Sequence, residues 1–594
     1  MVQRFRRSLS ALALLALVLV STPLAARADE PPAPVDLDWG VKIPLRDGVR
    51  LNATVFRPGG QKDPLPVVFT LTPYTADSYL ERALYFARNG YVYALVDVRG
   101  RGNSEGTFEP FINEGRDGHD IVEWLARQPW SNGKVTMWGG SYAGHNQWAT
   151  LGQKPPHLAT IVPVASPYPS VDFPMVKNIF GSYDIQWLTY TSGLLANRNL
   201  FNETSFWTQK FREMYLAHRP FRELDQIVGN RSPIFQKWLA HPTPDDYWRS
   251  MVPKPEDYGR MDVPILSITG HYDGDQGGAL HFYREFMRHA TPAAREKHYL
   301  IIGPWDHAGT RTPSAEVAGL TFGEASLLDL NKLHKDWYDW TMKGGAKPDF
   351  LKKRVAYYVV GPGAETWKYA DDLEAIATER RTLYLDSDGG RANDVFQSGR
   401  LATATPRQSP PDRWVYDPLD VRPAEIQSEP APDNIDQRGV LTLDGAGVIY
   451  HSEPFAEPTE ISGEVKLTAY LALDVPDTDF AVTLYEILPD GSSVVLTSDV
   501  LRARYRNSLE KVEPVPPGEI QRYVFDGFTW FSRRISKGSR LRLVVASANS
   551  IALEKNYNSG GVVADETAKD ARTAHITLYH DAEHPSTLEI PVVR

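Results

Sequence analysis

The chain contains no cysteine among its 594 residues. This absence excludes disulfide bonds, a thiol nucleophile and cysteine-ligated metal sites. Hydroxyl, imidazole, carboxylate and amine groups are left to carry any chemistry. Strongly basic runs are absent as well, and the formal net charge is −10, so nothing in the charge pattern supports binding to nucleic acid.

Apolar runs long enough to suggest a membrane-inserted segment are also absent, except near the N-terminus. A basic segment (MVQRFRRS) precedes the apolar residues 9–20, and Ala26-Arg27-Ala28 has the pattern of a cleavage site. These features predict a signal peptide over residues 1–28, a mature chain that begins near Asp29, and a secreted or periplasmic protein. The alternative is an uncleaved membrane anchor, although the run is short for a span of about 20 residues. After cleavage we expect no association with a membrane.

The first half of the chain has the pattern of a parallel α/β sheet. Within residues 29–165, apolar runs at 65–72, 91–98 and 135–138 alternate with segments of helical period. Continuous apolar runs are typical of strands that are buried on both faces. Strands that alternate with helices predict a sheet whose strands are mostly parallel.

Two other regions differ in character. Residues 166–260 are rich in aromatic and helix-forming residues without a strand pattern, which predicts a helical cap inserted into the α/β core. Strand signals at 263–268 and 298–302 indicate that residues 261–350 complete this core. Residues 351–594 contain short alternating runs separated by Pro, Gly and Asp, which is typical of a β-sandwich or jelly roll.

Ser141 is the first candidate for a nucleophile. The predicted strand 135–138 leads into Gly-Gly-Ser-Tyr-Ala-Gly at 139–144, and a helix follows. A sharp strand-turn-helix with small neighbours can hold a serine in a strained, exposed position. The motif departs from the common G-x-S-x-G because Ala143 occupies the second glycine position. A serine at this place could also be a simple helix N-cap.

Two later strand ends supply partners for Ser141 in the chain order Ser, acid, His. Asp273 lies in Gly-His-Tyr-Asp-Gly, directly after the predicted strand 263–268. His307 lies in Gly-Pro-Trp-Asp-His, directly after the predicted strand 298–302. Because ligands of open α/β sheets bind at the carboxyl ends of strands, these residues are expected to meet. Asp306 is an alternative acid, but adjacent side chains rarely face each other.

These motifs resemble the cocaine-esterase / X-prolyl dipeptidyl-peptidase (S15-like) family of α/β hydrolases, which includes α-amino-acid ester hydrolases and glutaryl acylases. The resemblance covers nearly the whole mature chain, and five segments within residues 96–307 carry it most clearly. They are VDVRGRGNSEG (96–106), EWLARQPWSNGKV (123–135), GGSYAG (139–144), GHYDG (270–274) and GPWDH (303–307). The family form G-x-S-Y-x-G explains the displaced glycine. The resemblance implies an α/β-hydrolase core, a helical cap and a C-terminal jelly-roll β domain.

The resemblance also implies roles for individual residues. Ser141 would be the nucleophile, His307 the general base and then acid, and Asp273 the residue that orients His307. The backbone N–H of Tyr142 and the hydroxyl of Tyr74 would form the oxyanion hole. For Tyr74 a packing role is the alternative. No cofactor or metal is implied, and the nearby histidines lack the spacing of a metal site.

Two residues are candidates for substrate binding. α-Amino-acid ester hydrolases carry acidic residues in the loop that here contains Asp275, where they hold the substrate ammonium. Asp275 matches this pattern only in part, because Gln276 follows it, and a loop-capping role is the alternative. Trp187 in the cap could line the acyl pocket, although cap aromatics are more often part of the core.

The sequence therefore predicts a secreted serine hydrolase that cleaves small esters or amides through an acyl-enzyme. An X-Pro dipeptidyl-peptidase and an α-amino-acid ester hydrolase or acylase are the alternatives within the same chemistry. A carbohydrate-binding β-domain protein with an inert hydrolase part is the non-enzymatic alternative. The expected partners are a small-molecule ester or amide or a short peptide. Members of the family often self-associate, which makes a homo-oligomer one candidate and leaves the oligomeric state open.

Overall fold

The computed structural model describes residues 32–406, 409–427 and 434–594. The predicted signal peptide, residues 1–28, lies outside these residues. Across the described ranges, every helix is too short or too polar to cross a lipid bilayer.

A ten-stranded sheet forms the centre of the first part of the chain. Its strands, in chain order, are β1 (Val35–Pro44), β2 (Arg50–Pro58), β3 (Leu65–Thr72), β4 (Val92–Asp97), β5 (Ser131–Gly140), β6 (Leu158–Val164), β7 (Ile265–Tyr272), β8 (His298–Asp306), β9 (Val355–Val359) and β10 (Thr366–Ala370). Across the sheet the order is β1-β2-β4-β3-β5-β6-β7-β8-β9-β10. Pairing is parallel from β4 through β9 and antiparallel at both ends. The predicted, mostly parallel α/β sheet is confirmed.

Helices cover both faces of this sheet and form the insertion. They are α1 (Leu80–Arg88), α2 (Glu114–Ala126), α3 (Tyr142–Gly152), α4 (Tyr183–Tyr190), α5 (Arg198–Phe201), α6 (Thr204–Leu216), α7 (Leu224–Ile227), α8 (Pro233–Leu239), α9 (Asp246–Arg249), α10 (Pro255–Tyr258), α11 (Gln276–His289), α12 (Pro292–Arg295) and α13 (Leu330–Lys343). Alternate residues of β3 belong to different cores. Val67 and Phe69 pack with α2 and α3, whereas Val68 packs with α1 and α13. Burial on both faces explains why this strand reads as a continuous apolar run.

The insertion between β6 and β7 is helical, as predicted, and contains α4 to α10. One hairpin of two-residue strands, Met175–Val176 and Ile179–Phe180, also occurs there, although the pattern predicted no strand. A strand of two residues is too short to produce an alternating pattern. Trp207, Trp238 and Trp248 are almost completely buried, so they contribute to the core of the cap.

The C-terminal part is a large, mainly antiparallel β-sheet domain of thirteen strands, counted over the described residues. Its strands are β11 (Glu379–Asp386), β12 (Gly399–Ala402), β13 (Asp412–Tyr416), β14 (Gly447–Ser452), β15 (Thr459–Gly463), β16 (Lys466–Leu473), β17 (Asp479–Ile487), β18 (Ser493–Arg502), β19 (Gln521–Phe525), β20 (Phe531–Ile535), β21 (Arg540–Ser547), β22 (Ala574–Tyr579) and β23 (Thr587–Val593). Two short helices, α14 (Pro423–Ile426) and α15 (Arg438–Leu441), lie between strands. Alternating burial along strands such as β13 matches the predicted β domain.

Two details differ from the sequence pattern. Strands β9 and β10 lie beyond residue 350 but extend the sheet of the α/β core, because β9 pairs in parallel with β8. One of the short alternating runs of the C-terminal region, residues 461–475, contains two strands rather than one: β15 ends at Gly463, and β16 begins at Lys466. Gly463 has φ 140°, and a Cβ there would lie 3.0 Å from Pro591. The division lets β15 pair with β20 and β16 pair with β19 and β22, while both strands also pair with β23.

Candidate active site

Ser141 occupies a sharp turn between β5 and α3. Its backbone angles are φ 62° and ψ −131°, which is a strained conformation for a residue with a Cβ. The turn is possible because its neighbours are small. A Cβ on Gly139 would lie 2.5 Å from the Cβ of Ala143, and one on Gly144 would lie 2.5 Å from the carbonyl oxygen of Val164. Gly144 therefore allows α3 to approach β6 closely, which accounts for its place in the motif.

Asp273 and His307 follow the neighbouring parallel strands β7 and β8. The strand register pairs Asp306 with Tyr272, so the next residue of each strand lies at the same edge of the sheet. His307 Nδ1 lies 2.7 Å from Asp273 Oδ1. The sequence-predicted pairing of acid and base is therefore present in the structure. In contrast, Asp306 accepts a hydrogen bond from the backbone N–H of Gly309 at 2.7 Å.

The Asp273 carboxylate is fully buried and well supplied with donors. Thr269 donates its hydroxyl to Oδ2 at 2.9 Å, and the backbone N–H of Asp275 donates to Oδ1 at 3.0 Å. Burial alone would raise the pKa of Asp273. The positive charge that His307 can carry and these hydrogen bonds outweigh burial, so the pKa lies below its usual value. Asp273 is thus held as an anion beside the imidazole.

Ser141 and His307 line the same cavity. Within the described part of the chain, no hydrogen bond of 3.5 Å or less joins the two side chains. Ser141 Oγ instead lies 3.4 Å from the hydroxyl oxygen of Tyr74. In unliganded enzymes the bond between nucleophile and base is often long and shortens when substrate binds.

Two hydrogen-bond donors lie near Ser141. Tyr142 is the first residue of α3, so its backbone N–H has no acceptor within the helix. The Tyr74 hydroxyl is the second donor. Trp187 donates its indole N–H to the Tyr74 oxygen at 3.0 Å, and Tyr190 stacks on the Tyr74 ring with centroids 5.3 Å apart. Burial raises the pKa of Tyr74 far above its ordinary value, which keeps the hydroxyl protonated.

The cavity has a volume of about 280 Å³ and is mostly aromatic. Its lining includes Tyr74, Phe111, Tyr142, Phe173, Tyr183 and Trp187, together with the polar groups of Ser141, Asp275 and His307. Trp187, a sequence candidate for the acyl pocket, therefore lies in this wall and stacks on Tyr142 with centroids 5.7 Å apart. A cavity of this size and lining suits a small, largely apolar acyl group.

Asp275 faces the cavity close to His307. Its Oδ2 lies 3.8 Å from His307 Nδ1. Asp275 occupies the N-cap position of helix α11, but its side chain makes no capping hydrogen bond to that helix. Gln276 points elsewhere: its side-chain amide donates to the carbonyl oxygen of Trp530 at 2.8 Å and accepts from the Trp530 N–H at 2.7 Å.

A second carboxylate, Asp172, accompanies Asp275. Asp172 accepts hydrogen bonds from the backbone N–H groups of Tyr168 at 2.8 Å and Gly278 at 2.5 Å. Burial raises the pKa of Asp172 to about 7. Burial, Asp172 and Asp273 together raise the pKa of Asp275 well above its usual value, although Arg311 and the Ser141 hydroxyl act in the opposite direction. A cation in the cavity beside Asp275 would favour the charged form of this carboxyl group.

Asp172 was missed by sequence reasoning. It lies in the loop after β6, far along the chain from Ser141 and Asp275, and no local motif marks it. The only available signal is its position at the carboxyl end of a central strand, between the strand that leads to Ser141 and the strand that leads to Asp273. As for metals, the described residues contain no group of three or more His, Asp or Glu arranged to hold one.

Two protein-family models match this chain. The model described as X-Pro dipeptidyl-peptidase (S15 family) matches residues 47–309, which include Ser141, Asp273 and His307. The chain belongs to the S15 family. The model of the X-Pro dipeptidyl-peptidase C-terminal non-catalytic domain matches residues 339–589. S15 membership confirms the predicted resemblance and identifies the chain as a serine hydrolase rather than an inert binding protein.

Several individual proteins are similar to this chain over nearly its full length. The cocaine esterase of Rhodococcus sp. (strain MB1 Bresler) is 26% identical over 589 residues, which cover 93% of this chain and 98% of the relative. The structure of an aminopeptidase from a marine sediment Thaumarchaeota archaeon has a TM-score of 0.81 at 22% identity, covering 98% of this chain and 99% of that one. An α-amino acid ester hydrolase structure gives a TM-score of 0.81 at 22% identity, covering 96% and 100%. At these identities the two structures establish the fold.

Proposed function

We propose that this chain hydrolyses small esters or amides through an acyl-enzyme on Ser141. In this reaction His307 is the general base and acid, and Asp273 orients the imidazole. The proposal is supported by the 2.7 Å contact between His307 and Asp273 and by the strained turn that presents Ser141 to the same cavity. These are the features of a Ser-His-Asp triad.

The reaction follows in two halves. His307 takes the proton of Ser141 as Oγ bonds to the carbonyl carbon, and the carbonyl oxygen becomes an oxyanion. The Tyr142 N–H and the Tyr74 hydroxyl donate to that oxyanion. When the intermediate collapses, the bond to the leaving group breaks and His307 gives the proton to the departing oxygen or nitrogen. Water, deprotonated by His307, then attacks the acyl carbon. The bond to Ser141 Oγ breaks, the acid leaves, and His307 returns the proton to Oγ.

The preferred acyl group in this proposal carries an ammonium on its α-carbon. The observation behind this is the Asp275 carboxyl group, which lines the cavity together with Ser141 and interacts electrostatically with Asp172. A charge-assisted hydrogen bond to an ammonium would stabilise Asp275 in its ionised form. A plain ester carries no positive charge that could pair with this carboxylate.

The position of Asp275 also bears on the peptidase alternative. In an X-Pro dipeptide the ammonium is one full residue further from the scissile carbonyl than in an α-amino ester. Asp275 lies beside His307 and near the Ser141 hydroxyl, so it suits an ammonium one carbon away from the reacting carbonyl. This proximity favours α-amino esters and amides, and the archaeal aminopeptidase and the α-amino acid ester hydrolase with the same fold agree with this preference.

A matched pair of substrates tests the proposal. Alanine methyl ester and methyl propionate differ by the α-ammonium, and an Ala-Pro arylamide reports peptidase activity. We expect the highest kcat/KM with the alanine ester, and Asp275→Asn should lower it by about 10-fold or more while leaving the propionate ester unchanged. Equal effects on both esters would contradict the ammonium site. Activity that survives Ser141→Ala would contradict the hydrolase proposal itself.

We also propose that the protein is exported, on the basis of the basic, apolar and small-residue segments within residues 1–28. Mass spectrometry of the protein recovered from the periplasm or the medium should find a chain that begins near Asp29. A chain that retains Met1 and stays in the cytosol or in the membrane would contradict export with cleavage.

A further inference from the structure

Arg101 is a completely buried arginine that bonds to backbone carbonyls only. Its side chain is 0% exposed. Nε donates to the carbonyl oxygen of Pro73 at 3.0 Å. Nη1 donates to the carbonyl oxygens of Thr191 at 2.6 Å and Ser192 at 3.0 Å, and also to that of Gly193. No carboxylate among the described residues lies within 4 Å of this guanidinium.

A buried charge without a carboxylate within hydrogen-bond distance needs an explanation, although the more distant Asp97 carboxylate interacts with it electrostatically. Burial lowers the pKa of Arg101 to about 10. The carbonyl groups that it contacts follow helix α4, which ends at Tyr190. The last carbonyls of a helix have no partner within the helix and carry a partial negative charge, so a cation there is favourable. Thr191 is the C-cap of α4, so Arg101 binds this C-cap and the turn of Ser192 and Gly193 that follows the helix.

The same guanidinium holds the loop that carries Tyr74. Pro73 immediately precedes Tyr74, so the Nε bond fixes the backbone beneath the phenol. Helix α4 contacts the phenol from the other side, through the Trp187 hydrogen bond to its oxygen and the stacked ring of Tyr190. One side chain thus connects the backbone of Tyr74 with the cap helix that holds its ring and hydroxyl.

The turn that carries Arg101 depends on the two glycines that flank this residue. Gly100 has φ +73°, and a Cβ there would lie 2.3 Å from the backbone nitrogen of Phe108. Gly102 has φ +54°, and a Cβ there would lie 2.1 Å from Asp97 Oδ2. Arg99 in the same motif behaves differently, because it forms ion pairs with Asp117 and Asp47. In the Arg-Gly-Arg-Gly motif, Arg99 therefore forms ion pairs, whereas Arg101 binds backbone carbonyl groups.

We propose that Arg101 is a positioning residue for the oxyanion hole, which acts by fixing helix α4 and the Pro73-Tyr74 backbone so that the Tyr74 hydroxyl stays beside Ser141. This inference rests on the proposed role of Tyr74. Loss of Arg101 should leave the nucleophile and base intact but allow the phenol to move. Because oxyanion stabilisation operates in the transition state, the effect belongs mainly in kcat.

The test combines Arg101→Met and Arg101→Lys with Tyr74→Phe in a double-mutant cycle. Arg99→Met, in the same turn, is the matched control. We expect Arg101→Met to lower kcat by about 10-fold or more with little change in KM, and Arg101→Lys to lower it less. In the Tyr74→Phe background, Arg101→Met should have almost no further effect. Affinity for a boronic acid, which forms a tetrahedral adduct on serine, should fall in parallel with kcat.

The possible results distinguish the positioning role of Arg101 from the role of Tyr74 in the oxyanion hole. A Tyr74→Phe enzyme with unchanged kcat would remove Tyr74 from the oxyanion hole and would overturn both statements. If Tyr74→Phe lowers kcat but the Arg101 and Tyr74 effects are additive, the role of Tyr74 stands and the positioning role of Arg101 is wrong. Failure of both Arg101 variants to fold, while Arg99→Met folds, would also overturn it, because Arg101 would then be required for folding itself.

Discussion

Asp275 Oδ2 lies 3.8 Å from Nδ1 of His307, the same nitrogen that contacts Asp273 at 2.7 Å. Two carboxyl groups thus lie beside one imidazole, but they differ in their surroundings. Asp273 is supplied with hydrogen bonds that favour its charged form, whereas Asp275 faces the cavity. This difference separates the residue that orients the base from the residue available to a substrate.

The raised pKa of Asp275 predicts a pH-dependent gain in stability for Asp275→Asn. A carboxyl whose pKa is raised in the folded protein loses stability as the pH rises above the unfolded value of 3.8, and the loss is complete above the folded pKa. Asparagine does not titrate. We expect Tm of the variant to exceed that of wild type by about 2 °C at pH 8, with the difference vanishing near pH 4. A variant that is less stable than wild type at pH 8 would contradict this.

The same carboxyl groups predict how KM for alanine methyl ester depends on pH. The pKa of Asp172 is about 7, so protonation below this pH removes negative charge from the proposed ammonium site. KM should therefore rise as the pH falls below about 7, and it should also rise at high pH when the substrate amine loses its proton, near pH 8. Methyl propionate, which has no ammonium, should have a nearly constant KM over this range. Identical KM profiles for the two esters would argue against a carboxylate site.

The contact between Trp187 and Tyr74 predicts graded effects on kcat. Tyr74→Phe removes the hydroxyl that lies 3.4 Å from Ser141 Oγ and should lower kcat by about 10²–10³-fold. Trp187→Phe keeps an aromatic wall but removes the indole N–H, so we expect a smaller loss of about 5-fold. In the Tyr74→Phe background the Trp187 substitution should matter less. Unchanged kcat in Tyr74→Phe would leave the phenol with a packing role only.

Asp273 and Asp306 provide a matched pair of acids around His307. Asp273→Asn should lower kcat by about 10⁴-fold, because the amide cannot stabilise the imidazolium or hold its tautomer. Asp306→Asn keeps an oxygen that can accept from the Gly309 N–H, so kcat should change little. The comparison uses nitrophenyl ester hydrolysis by both variants at equal concentration. The opposite ranking would assign the orienting role to Asp306.

The sequence predicted the parts of the fold that follow from local physical rules. Continuous apolar runs identified the buried strands β3 and β4, and the carboxyl-end rule brought Asp273 and His307 together from distant segments. The sheet membership of β9 was not predictable, because a short strand has the same pattern in either sheet. Asp172 was missed for a related reason: only the tertiary fold brings its loop beside Asp275.

The contacts that Trp187 makes in the cavity wall could be predicted only in part from the sequence. The sequence suggested a pocket-lining aromatic, and the structure places Trp187 in the cavity wall. Its hydrogen bond to Tyr74 depends on the orientation of α4, which is fixed by contacts of Arg101 with the end of that helix. Such a contact between the cap and the core has no periodic signature.

Covalent labelling tests the central claim most directly. Wild-type protein should react with a fluorophosphonate, and peptide mass spectrometry should find one adduct, on Ser141. Ser141→Ala should remain unlabelled, and His307→Ala should label far more slowly because the serine loses its base. An adduct on another residue, or equal labelling of Ser141→Ala and wild type, would contradict the assignment of Ser141 as the nucleophile.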